Sequence, residues 1–385
     1  MSPEPRREAP SSFEEAAEAM RTATAQEMGV RIRGGGTKSS WGQSTQPPEI
    51  DLSTERLDQV VEHNEGDMTV VLQAGAPLAR AQEALAEANQ MVALDPPLGE
   101  GGRATIGGVV ATGDSGPLRH RYGAARDLIL GITIALSDGT IAKAGGKVIK
   151  NVAGYDLGKL FTGSFGTLGL VVEVVIRLHP RPHEPVTAVG SSDDPDAFAG
   201  AASRVAHSPF GAECVDVAWG DGHGELMARF GGAAPEAAAR DVTKLMEDAG
   251  LEARLVEDDD ELWARQREGQ RSAEGAVVRV SGLVAELPVV LRSASEVGAS
   301  LVGRAGLGLS WITLGRGDAG ELVASIEEVR RRLDPFACVV LDAPAEVREK
   351  VDVWGEVEAV PLMRRVKARF DPHGVCNPGI FVGGI

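Results

Sequence analysis

The chain has 385 residues, of which 43% are hydrophobic and 25% charged, and its formal net charge is −17. This length suits two or three domains of roughly 100–200 residues each, and the composition excludes the disordered and fibrous classes. The acidic balance argues against binding to a nucleic-acid backbone or to an anionic membrane surface. No apolar run approaches the ~18 residues that span a bilayer, so we expect a cytoplasmic protein.

Three cysteines, Cys214, Cys338 and Cys376, lie far apart in the sequence. Without a CxxC pair they cannot by themselves hold an iron–sulfur cluster or a four-cysteine zinc ion. We predict reduced thiols and no bound metal.

The predicted elements of the first half alternate between helix and strand. Ser12 stands three residues before Glu15 at the head of an Ala/Glu-rich run, which predicts a capped helix ending near residue 29. Strands are expected at residues 30–33, 69–74, 128–136 and 168–178, and a helix at 77–89. This order belongs to the α/β or α+β class.

A stiff, proline-rich segment at residues 180–185 predicts a domain boundary. From about 186 to 342 the pattern then reads strand, helix, strand, strand, helix, strand, which is the ferredoxin-like order, with helices at 235–249 and 321–333. A helix near 360–370 and a proline-rich ending follow. We therefore place domains at residues 1–183 and 184–345, and a C-terminal segment at 346–385.

Three loops combine glycines with hydroxyl side chains. The first glycine loop is residues 33–42 (RGGGTKSSWG), the second is 105–116 (TIGGVVATGDSG), and the third is 163–169 (GSFGTLG), which follows KVIKNVAGYD at 147–156. Successive glycines can turn their N–H groups toward one anion and let a diphosphate approach the backbone closely. The first loop alone could equally be a flexible hairpin, and it is not a Walker A loop because Thr37 precedes Lys38. Together the loops predict a site for a large polar ligand such as a flavin dinucleotide.

The residues of these loops resemble a known family. RGGGTKxxxG, TIGGxVATGxSG, KNVAGYDLxKLFxGSxGTLG and the closing ARFDPxGxxNPG together resemble the PCMH-type FAD-binding fold of the vanillyl-alcohol oxidase family, and most of all the FAD-binding subunits of bacterial glycolate oxidases. The resemblance covers residues 30–180 and 367–379 and is weak between them. It implies an α+β fold: a PCMH-type FAD-binding domain, closed by the C-terminal segment, with a ferredoxin-like cap domain.

The resemblance also assigns residues to FAD. Those expected at the diphosphate belong to the first loop: Arg33, Gly34, Gly35, Gly36, Thr37 and Lys38. Those of the second loop would form a wall toward the diphosphate and the flavin: Thr105, Gly108, Thr112, Ser115 and Gly116. Those expected at the ribityl and adenosine parts follow in the third loop and the next strand: Gly163, Ser164, Gly166, Gly169 and Val171. Covalent flavin binders of this family use a His in the first loop or a Cys in the second, and neither is present here, so the resemblance implies non-covalent FAD.

Lys147 and Lys150 are candidates for a further role at the cofactor. A cation near flavin N1 and the C2 carbonyl would stabilise the reduced, anionic ring. We include Lys150 among the expected cofactor-binding residues.

Two departures from the family bear on catalysis. Catalytic relatives have a GHxGDGN motif in the middle domain, whereas the best-aligned stretch here, residues 303–308, reads GRAGLG and has no histidine. Phe165 replaces the acid of their GSEGTLG. Oxidation of a 2-hydroxy acid requires a base in reach of the proton that leaves with the hydride. We therefore assign no catalytic residue.

A second glycine motif allows a rival interpretation. GRGDAG at residues 315–320 matches GxGxxG between a strand and a helix, and Asp342 follows at about the distance of a ribose-binding acid. The chain after Asp342 is too short to complete a doubly wound sheet, so a tight β–α turn is the preferred interpretation.

The resemblance implies an FAD-dependent oxidoreductase that oxidises glycolate to glyoxylate as part of a complex with a larger FAD-binding subunit and an iron–sulfur subunit. The iron–sulfur subunit would take the electrons, and the partners would determine any association with the inner membrane. Two alternatives remain open: a self-sufficient FAD-dependent 2-hydroxy-acid dehydrogenase, and a scaffold subunit that keeps the fold without flavin chemistry.

Overall fold

The structure is a computed structural model that describes residues 4–147 and 156–385. The chain divides into two compact units. The first comprises Met1–Ser115, Gly123–Arg181 and Val357–Ile385, and the second comprises Gly116–Tyr122 and Pro182–Glu356. Among the described residues, no helix has the length and apolar character needed to cross a membrane.

The strands are numbered along the chain. They are β1 Arg6–Glu8, β2 Val30–Arg33, β3 Ile50–Ser53, β4 Val60–Asn64, β5 Thr69–Gln73, β6 Gln90–Met91, β7 Ile129–Ala135, β8 Ile141–Gly145, β9 Leu170–Arg177, β10 His179–Pro180, β11 Val186–Ser192, β12 Cys214–Gly220, β13 His223–Phe230, β14 Glu252–Val256, β15 Ala276–Ser281, β16 Ser300–Arg304, β17 Leu309–Leu314 and β18 Ala337–Val340.

The α-helices are numbered in the same way. They are α1 Phe13–Ala25, α2 Leu78–Ala86, α3 Ile106–Thr112, α4 Arg119–Tyr122, α5 Ala125–Leu128, α6 Leu157–Phe161, α7 Asp196–Ala206, α8 Pro235–Glu247, α9 Asp260–Glu268, α10 Leu287–Glu296, α11 Ala319–Leu333, α12 Ala345–Arg348 and α13 Val360–Phe370.

The first unit contains a parallel sheet in the order β1-β3-β2 and an antiparallel sheet in the order β4-β5-β9-β7-β8. Helix α1 begins as its sequence predicts, because the Ser12 hydroxyl accepts a hydrogen bond from the Glu15 N–H at 3.1 Å. Its apolar side packs with Leu52 of β3 and Val172 of β9 in one hydrophobic core. The helix therefore joins the two sheets around the position where the site is built.

The C-terminal segment closes this unit. The Val30 N–H donates to the Val375 carbonyl at 2.8 Å, and the Asn377 N–H donates to the Val30 carbonyl at 2.9 Å. These bonds form a short parallel bridge on the free edge of β2. The end of the chain is thereby attached to the strand that leads into the first glycine loop.

The second unit contains two ferredoxin-like repeats rather than the single one that the sequence pattern predicts. The first repeat is β11-α7-β12-β13-α8-β14 and the second is β15-α10-β16-β17-α11-β18. Their strands form one antiparallel sheet in the order β14-β11-β13-β12-β16-β17-β15-β18, in which each half has the ferredoxin-like arrangement and β12 pairs with β16. The two helices predicted as one motif, α8 and α11, belong to different repeats.

The chain returns to the first unit at Val357, whereas the sequence pattern places this boundary at residue 346. The difference has a packing cause: Val347, Val351 and Val353 are buried in the core of the second unit. Residues Gly116–Tyr122 also belong to the second unit, although they continue the second glycine loop.

Candidate functional site

A cavity of about 390 Å³ lies in the first unit, where the first two glycine loops and the start of β9 meet. Most of the residues that the sequence assigns to a cofactor line it: Arg33, Gly34, Gly35, Gly36, Thr37, Lys38, Thr105, Gly108, Thr112, Gly166, Gly169 and Val171. Within the described part of the chain, Ser115, Gly116, Gly163 and Ser164 are not among its lining residues. Lys150 lies outside the described residues. Lys147 is exposed and paired with Glu62.

The three successive glycines of the first loop, Gly34 to Gly36, serve different geometric needs. A Cβ atom on Gly34 would lie 2.0 Å from the Thr105 hydroxyl oxygen, and one on Gly35 would lie 1.7 Å from the Arg103 carbonyl oxygen. Any side chain there would push the first loop off the start of the second. Gly36 has a φ of +72°, and its Cβ direction meets open space. The loop therefore packs tightly on one side and is open on the other.

The backbone N–H groups of Gly34, Gly35 and Gly36 make no hydrogen bond to any described residue. Backbone N–H groups in folded proteins nearly always have a partner. Successive N–H groups without one, at the wall of a cavity, suit an anion such as a diphosphate. The first glycine loop thus fits the diphosphate of FAD, with the contacts supplied by the main chain.

Several hydroxyl groups of the loops bind backbone carbonyls instead of facing the cavity as donors. The Thr112 hydroxyl donates to the Gly108 carbonyl at 2.8 Å, and the Ser39 hydroxyl donates to the Gly36 carbonyl at 2.8 Å. The Ser164 hydroxyl donates to the Phe161 carbonyl at 2.8 Å. Thr105 caps α3 by accepting the Gly108 N–H at 3.3 Å. These side chains fix the shapes of the loops, which sequence reasoning alone did not separate from ligand binding.

Lys38 forms a buried ion pair that the sequence did not reveal. Its Nζ lies 3.1 Å from Oδ2 of Asp114, and the two side chains are 6% and 4% exposed. The Lys38 ammonium also donates to the Pro97 carbonyl at 3.4 Å and lies 5.8 Å from the ring centre of Trp41. Because its charge is compensated by Asp114, Lys38 joins the first glycine loop to the end of the second.

Asn377 is a lining residue that the sequence analysis missed as a site residue, although it stands in the NPG of the closing motif. Its side-chain oxygen accepts the Ile32 N–H at 2.8 Å, and its Nδ2 donates to the Phe165 carbonyl at 2.6 Å. Gly166, with a φ of +70°, lies so close that a Cβ would be 2.7 Å from that Nδ2. Asn377 therefore holds the third glycine loop against the end of β2.

Asp371 organises the turn that presents Asn377. Its carboxylate accepts hydrogen bonds from the N–H groups of Val375 (3.2 Å) and Cys376 (2.8 Å) and from the Lys367 ammonium (2.6 Å). Burial would raise the pKa of Asp371, but Lys367 and the two N–H groups lower it below its ordinary value. The ARFDPxGxxNPG motif is thus a hydrogen-bonded turn centred on a buried carboxylate.

Phe165 stands where the family resemblance implies an acid. It has a φ of 55°, is 9% exposed, and donates its N–H to the Ala111 carbonyl at 2.8 Å. Among the described lining residues, Asp51 is the one carboxylate and histidine is absent. Asp51 accepts hydrogen bonds from the Arg33 Nε at 2.8 and 3.0 Å. The cavity therefore offers a place for a cofactor without an evident general base.

The GxGxxG motif at residues 315–320 is a helix start. The Asp318 carboxylate accepts the N–H groups of Gly320 (2.7 Å) and Glu321 (2.9 Å) at the beginning of α11. Asp342 is bound by the Arg271 guanidinium at 2.6 Å. Among the described residues, no group of three or more His, Cys, Asp or Glu side chains is placed to hold a metal ion.

Comparison with known proteins finds a match in the first unit. Residues 8–145 match a family model described as an FAD binding domain. Residues 8–145 therefore form an FAD-binding domain, and the cofactor of this domain is FAD.

Three relatives are similar to part or nearly all of this chain. The glycolate oxidase subunit GlcE of Escherichia coli (strain K12) is 37% identical over 151 residues, which is 39% of this chain and 42% of that protein. The mitochondrial D-lactate dehydrogenase [cytochrome] 1 of Saccharomyces cerevisiae is 37% identical over 159 residues, 41% of this chain and 26% of that protein. The matches thus span less than half of these relatives. An uncharacterised FAD-linked oxidoreductase of Mycobacterium tuberculosis is 25% identical over 97% of this chain and 90% of its own length.

Solved structures show the fold of the whole chain. An alkyldihydroxyacetonephosphate synthase superposes with a TM-score of 0.72 at 16% identity, covering 97% of this chain and 75% of its own. A chitooligosaccharide oxidase gives 0.69 at 14% identity, covering 97% and 90%. The predicted fold class, a PCMH-type FAD-binding domain with a ferredoxin-like α+β cap domain, is confirmed.

Proposed function

We propose that the chain is the FAD-binding subunit of a glycolate oxidase complex that converts glycolate to glyoxylate. The observation that carries this proposal is the row of partnerless N–H groups at Gly34, Gly35 and Gly36, in a domain similar to a glycolate oxidase subunit. The residues of the first glycine loop would hold FAD, which when bound would supply the acceptor for the hydride of the substrate carbon; the base that takes the hydroxyl proton is assigned to no residue of this chain.

The chain's own residues would bind and orient the cofactor. The N–H groups of the first glycine loop hold the diphosphate, while the ion pair of Lys38 and Asp114 keeps that loop in register with the second. Asn377 keeps Phe165 and Gly166 in place at the third loop. These contacts support the cofactor-binding roles assigned from the sequence, and the binding is proposed to be non-covalent.

The proposed partners follow from the need for an acceptor that takes the electrons from FAD. The three cysteines are buried as free thiols, each far from the others in sequence, so an iron–sulfur subunit would take the electrons. A larger FAD-binding subunit would complete the complex, in the cytoplasm or attached to the inner membrane through these partners.

A self-sufficient FAD-dependent 2-hydroxy-acid dehydrogenase is the second candidate, favoured by the similarity to the yeast D-lactate dehydrogenase. The composition of the cavity weighs against it, since Phe165 replaces an acid and Asp51 is already paired with Arg33. A scaffold without flavin chemistry is the third.

An absorption spectrum of the purified chain, recorded before and after glycolate is added, tests these candidates. We expect a flavin spectrum that glycolate bleaches slowly or not at all with the chain alone, and quickly once the two partner subunits are present. Efficient bleaching of the lone chain would favour the self-sufficient dehydrogenase. A colourless protein that takes up no FAD would favour the third candidate, a scaffold subunit without flavin chemistry.

A further inference from the structure

A fully buried arginine in the second unit has an unused pair of donors. Arg304 ends β16 with its side chain 0% exposed, and its Nη1 donates to Oδ2 of Asp216 at 2.5 Å. Its guanidinium carbon lies 4.8 Å from the ring centre of Trp311. Among the described residues, Nε and Nη2 of Arg304 have no hydrogen-bond partner. These two N–H groups point to the same side of the guanidinium and form the edge that binds a carboxylate with two parallel hydrogen bonds.

Other side chains of the second unit also have buried polar atoms without a described partner. They include Oδ1 of Asp216 and Nδ1 of His120. Asp216 is next to Arg304 because β12 pairs with β16 with Val217 opposite Gly303. The His120 ring packs on Gly306, where a Cβ would lie 2.8 Å from Nδ1. Buried polar groups are nearly always satisfied in native proteins, so the unused donors of Arg304 and the unused acceptor of Asp216, on adjacent strands, indicate a small polar ligand.

Arg229 shows what a purely structural arginine looks like in the same sheet. Its Nε and Nη2 both donate to the Asp259 carboxylate, at 3.0 and 2.8 Å. The edge that is empty in Arg304 is thus filled in Arg229 by a carboxylate of the chain itself. The comparison identifies the chemical group that the empty edge of Arg304 fits.

We propose that the Nε–Nη2 edge of Arg304 binds the carboxylate of a small acid within the second unit. Asp216 and His120 would then accept or donate hydrogen bonds to a hydroxyl of the same molecule. The full enclosure of Arg304 restricts the ligand to a few heavy atoms and requires the surrounding residues to move when it enters. That the acid is a 2-hydroxy acid rests on the proposed function; that it carries a carboxylate rests on Arg304 alone.

Calorimetric titration of the FAD-loaded chain with sodium oxalate tests the proposal, because oxalate offers a small carboxylate but no C–H bond to oxidise. Arg304→Lys keeps a cation beside Asp216 and removes the two-donor edge. We expect it to weaken oxalate binding by roughly tenfold to a hundredfold, the value of one charge-assisted hydrogen bond. Arg229→Lys, the matched control, should leave the affinity within about twofold, and ethylene glycol should not compete.

Melting temperature and FAD content establish that each variant is folded. If Arg304→Lys is not, the double variant Asp216→Asn/Arg304→Gln removes both charges together and should show the same loss of binding. An unchanged oxalate affinity in a folded Arg304 variant overturns the proposal. A wild-type protein that binds neither oxalate nor glycolate also overturns it, and would assign the Nε–Nη2 edge of Arg304 to water. Oxalate binding together with no glycolate oxidation even when the two partner subunits are present refutes the proposed function and keeps this inference. Glycolate oxidation by the complex that is unaffected in Arg304→Lys refutes this inference and keeps the proposed function.

Discussion

The side-chain amide of Asn377 donates a hydrogen bond of 2.6 Å to the carbonyl oxygen of Phe165, 212 positions earlier in the chain. Phe165 needs such support because its φ of 55° is unfavourable for a residue with a bulky side chain. The same Asn377 accepts the Ile32 N–H at 2.8 Å. The end of the chain thus fixes two walls of the cavity at once.

Asn377→Asp should weaken FAD binding because the new carboxylate cannot donate to the Phe165 carbonyl and would face its oxygen. We expect a loss of about 1–3 kcal/mol, the cost of leaving a buried polar group unsatisfied, seen as a lower melting temperature and a raised Kd for FAD. Asn89→Asp is the matched control, since Asn89 also has a positive φ (54°) but is exposed. Equal effects of the two substitutions would contradict a specific role for Asn377.

Gly35→Val should abolish FAD binding. A Cβ at this position would lie 1.7 Å from the Arg103 carbonyl oxygen, so the first loop must move away from the second. Loss of two charge-assisted hydrogen bonds to the diphosphate would weaken binding by roughly a hundredfold to ten-thousandfold. In Gly317→Val the nearest atom to the new Cβ is the flexible Glu321 carboxylate at 3.1 Å, so FAD binding should persist. Titration of both variants with FAD decides, and the opposite pattern would move the cofactor out of the first unit.

Sequence reasoning located the walls of the cavity but not the contacts that hold them. The glycine loops were recognisable because glycine at such positions reports a close approach, which Gly34 and Gly35 confirm. The Lys38–Asp114 pair and the bonds of Asn377 join residues far apart in sequence, and no local pattern encodes such pairing. Whether each lining residue touches FAD stays a prediction.

The duplication of the cap domain was hidden for a related reason. Its halves share the ferredoxin-like order of strands and helices and a hydrophobic core, and many different sequences can form that arrangement. Their junction is the pairing of β12 with β16, three residue pairs centred on Ala218 and Val302. Two sheet edges pair through backbone hydrogen bonds of extended strands, so the pairing requires no particular side chains and produces no sequence motif.

Lys38→Met should destabilise the first unit by about 3–5 kcal/mol, because it leaves the buried Asp114 carboxylate without a cation. The double variant Lys38→Met/Asp114→Asn removes both charges and should recover most of the stability. If Lys38 acts by positioning the loops, FAD affinity should recover with it. Stability that returns without FAD affinity would assign Lys38 a direct contact with the diphosphate. Urea unfolding and FAD titration of the three variants supply both quantities.

FAD should leave the protein on acid precipitation. The first glycine loop contains no His and the second contains no Cys, so neither offers the tether used in covalent members of the family that the chain resembles. The supernatant should carry the flavin absorbance and the pellet should be colourless. Yellow pellets after washing would show a covalent bond elsewhere in the chain.

The buried pair of Asp216 and Arg304 should give the protein a measurable pH signature. Burial raises the pKa of Asp216 to about 6 from its ordinary 3.8, although Arg304 opposes the shift. Because the folded state holds this proton more tightly than the unfolded state, the contribution of Asp216 to stability falls as the pH rises between these two values and is constant above them. At ~1.4 kcal/mol per pKa unit, the fall amounts to about 3 kcal/mol.

Asp216→Asn cannot titrate, so its free energy of unfolding should rise relative to wild type by about that amount from pH 4 to pH 7, whatever the constant cost of weakening the contact with Arg304. Asp221→Asn, in an exposed turn of the same unit, should follow the wild-type curve. Urea unfolding across this range measures all three, and curves for Asp216→Asn and wild type that stay parallel would show that Asp216 titrates normally.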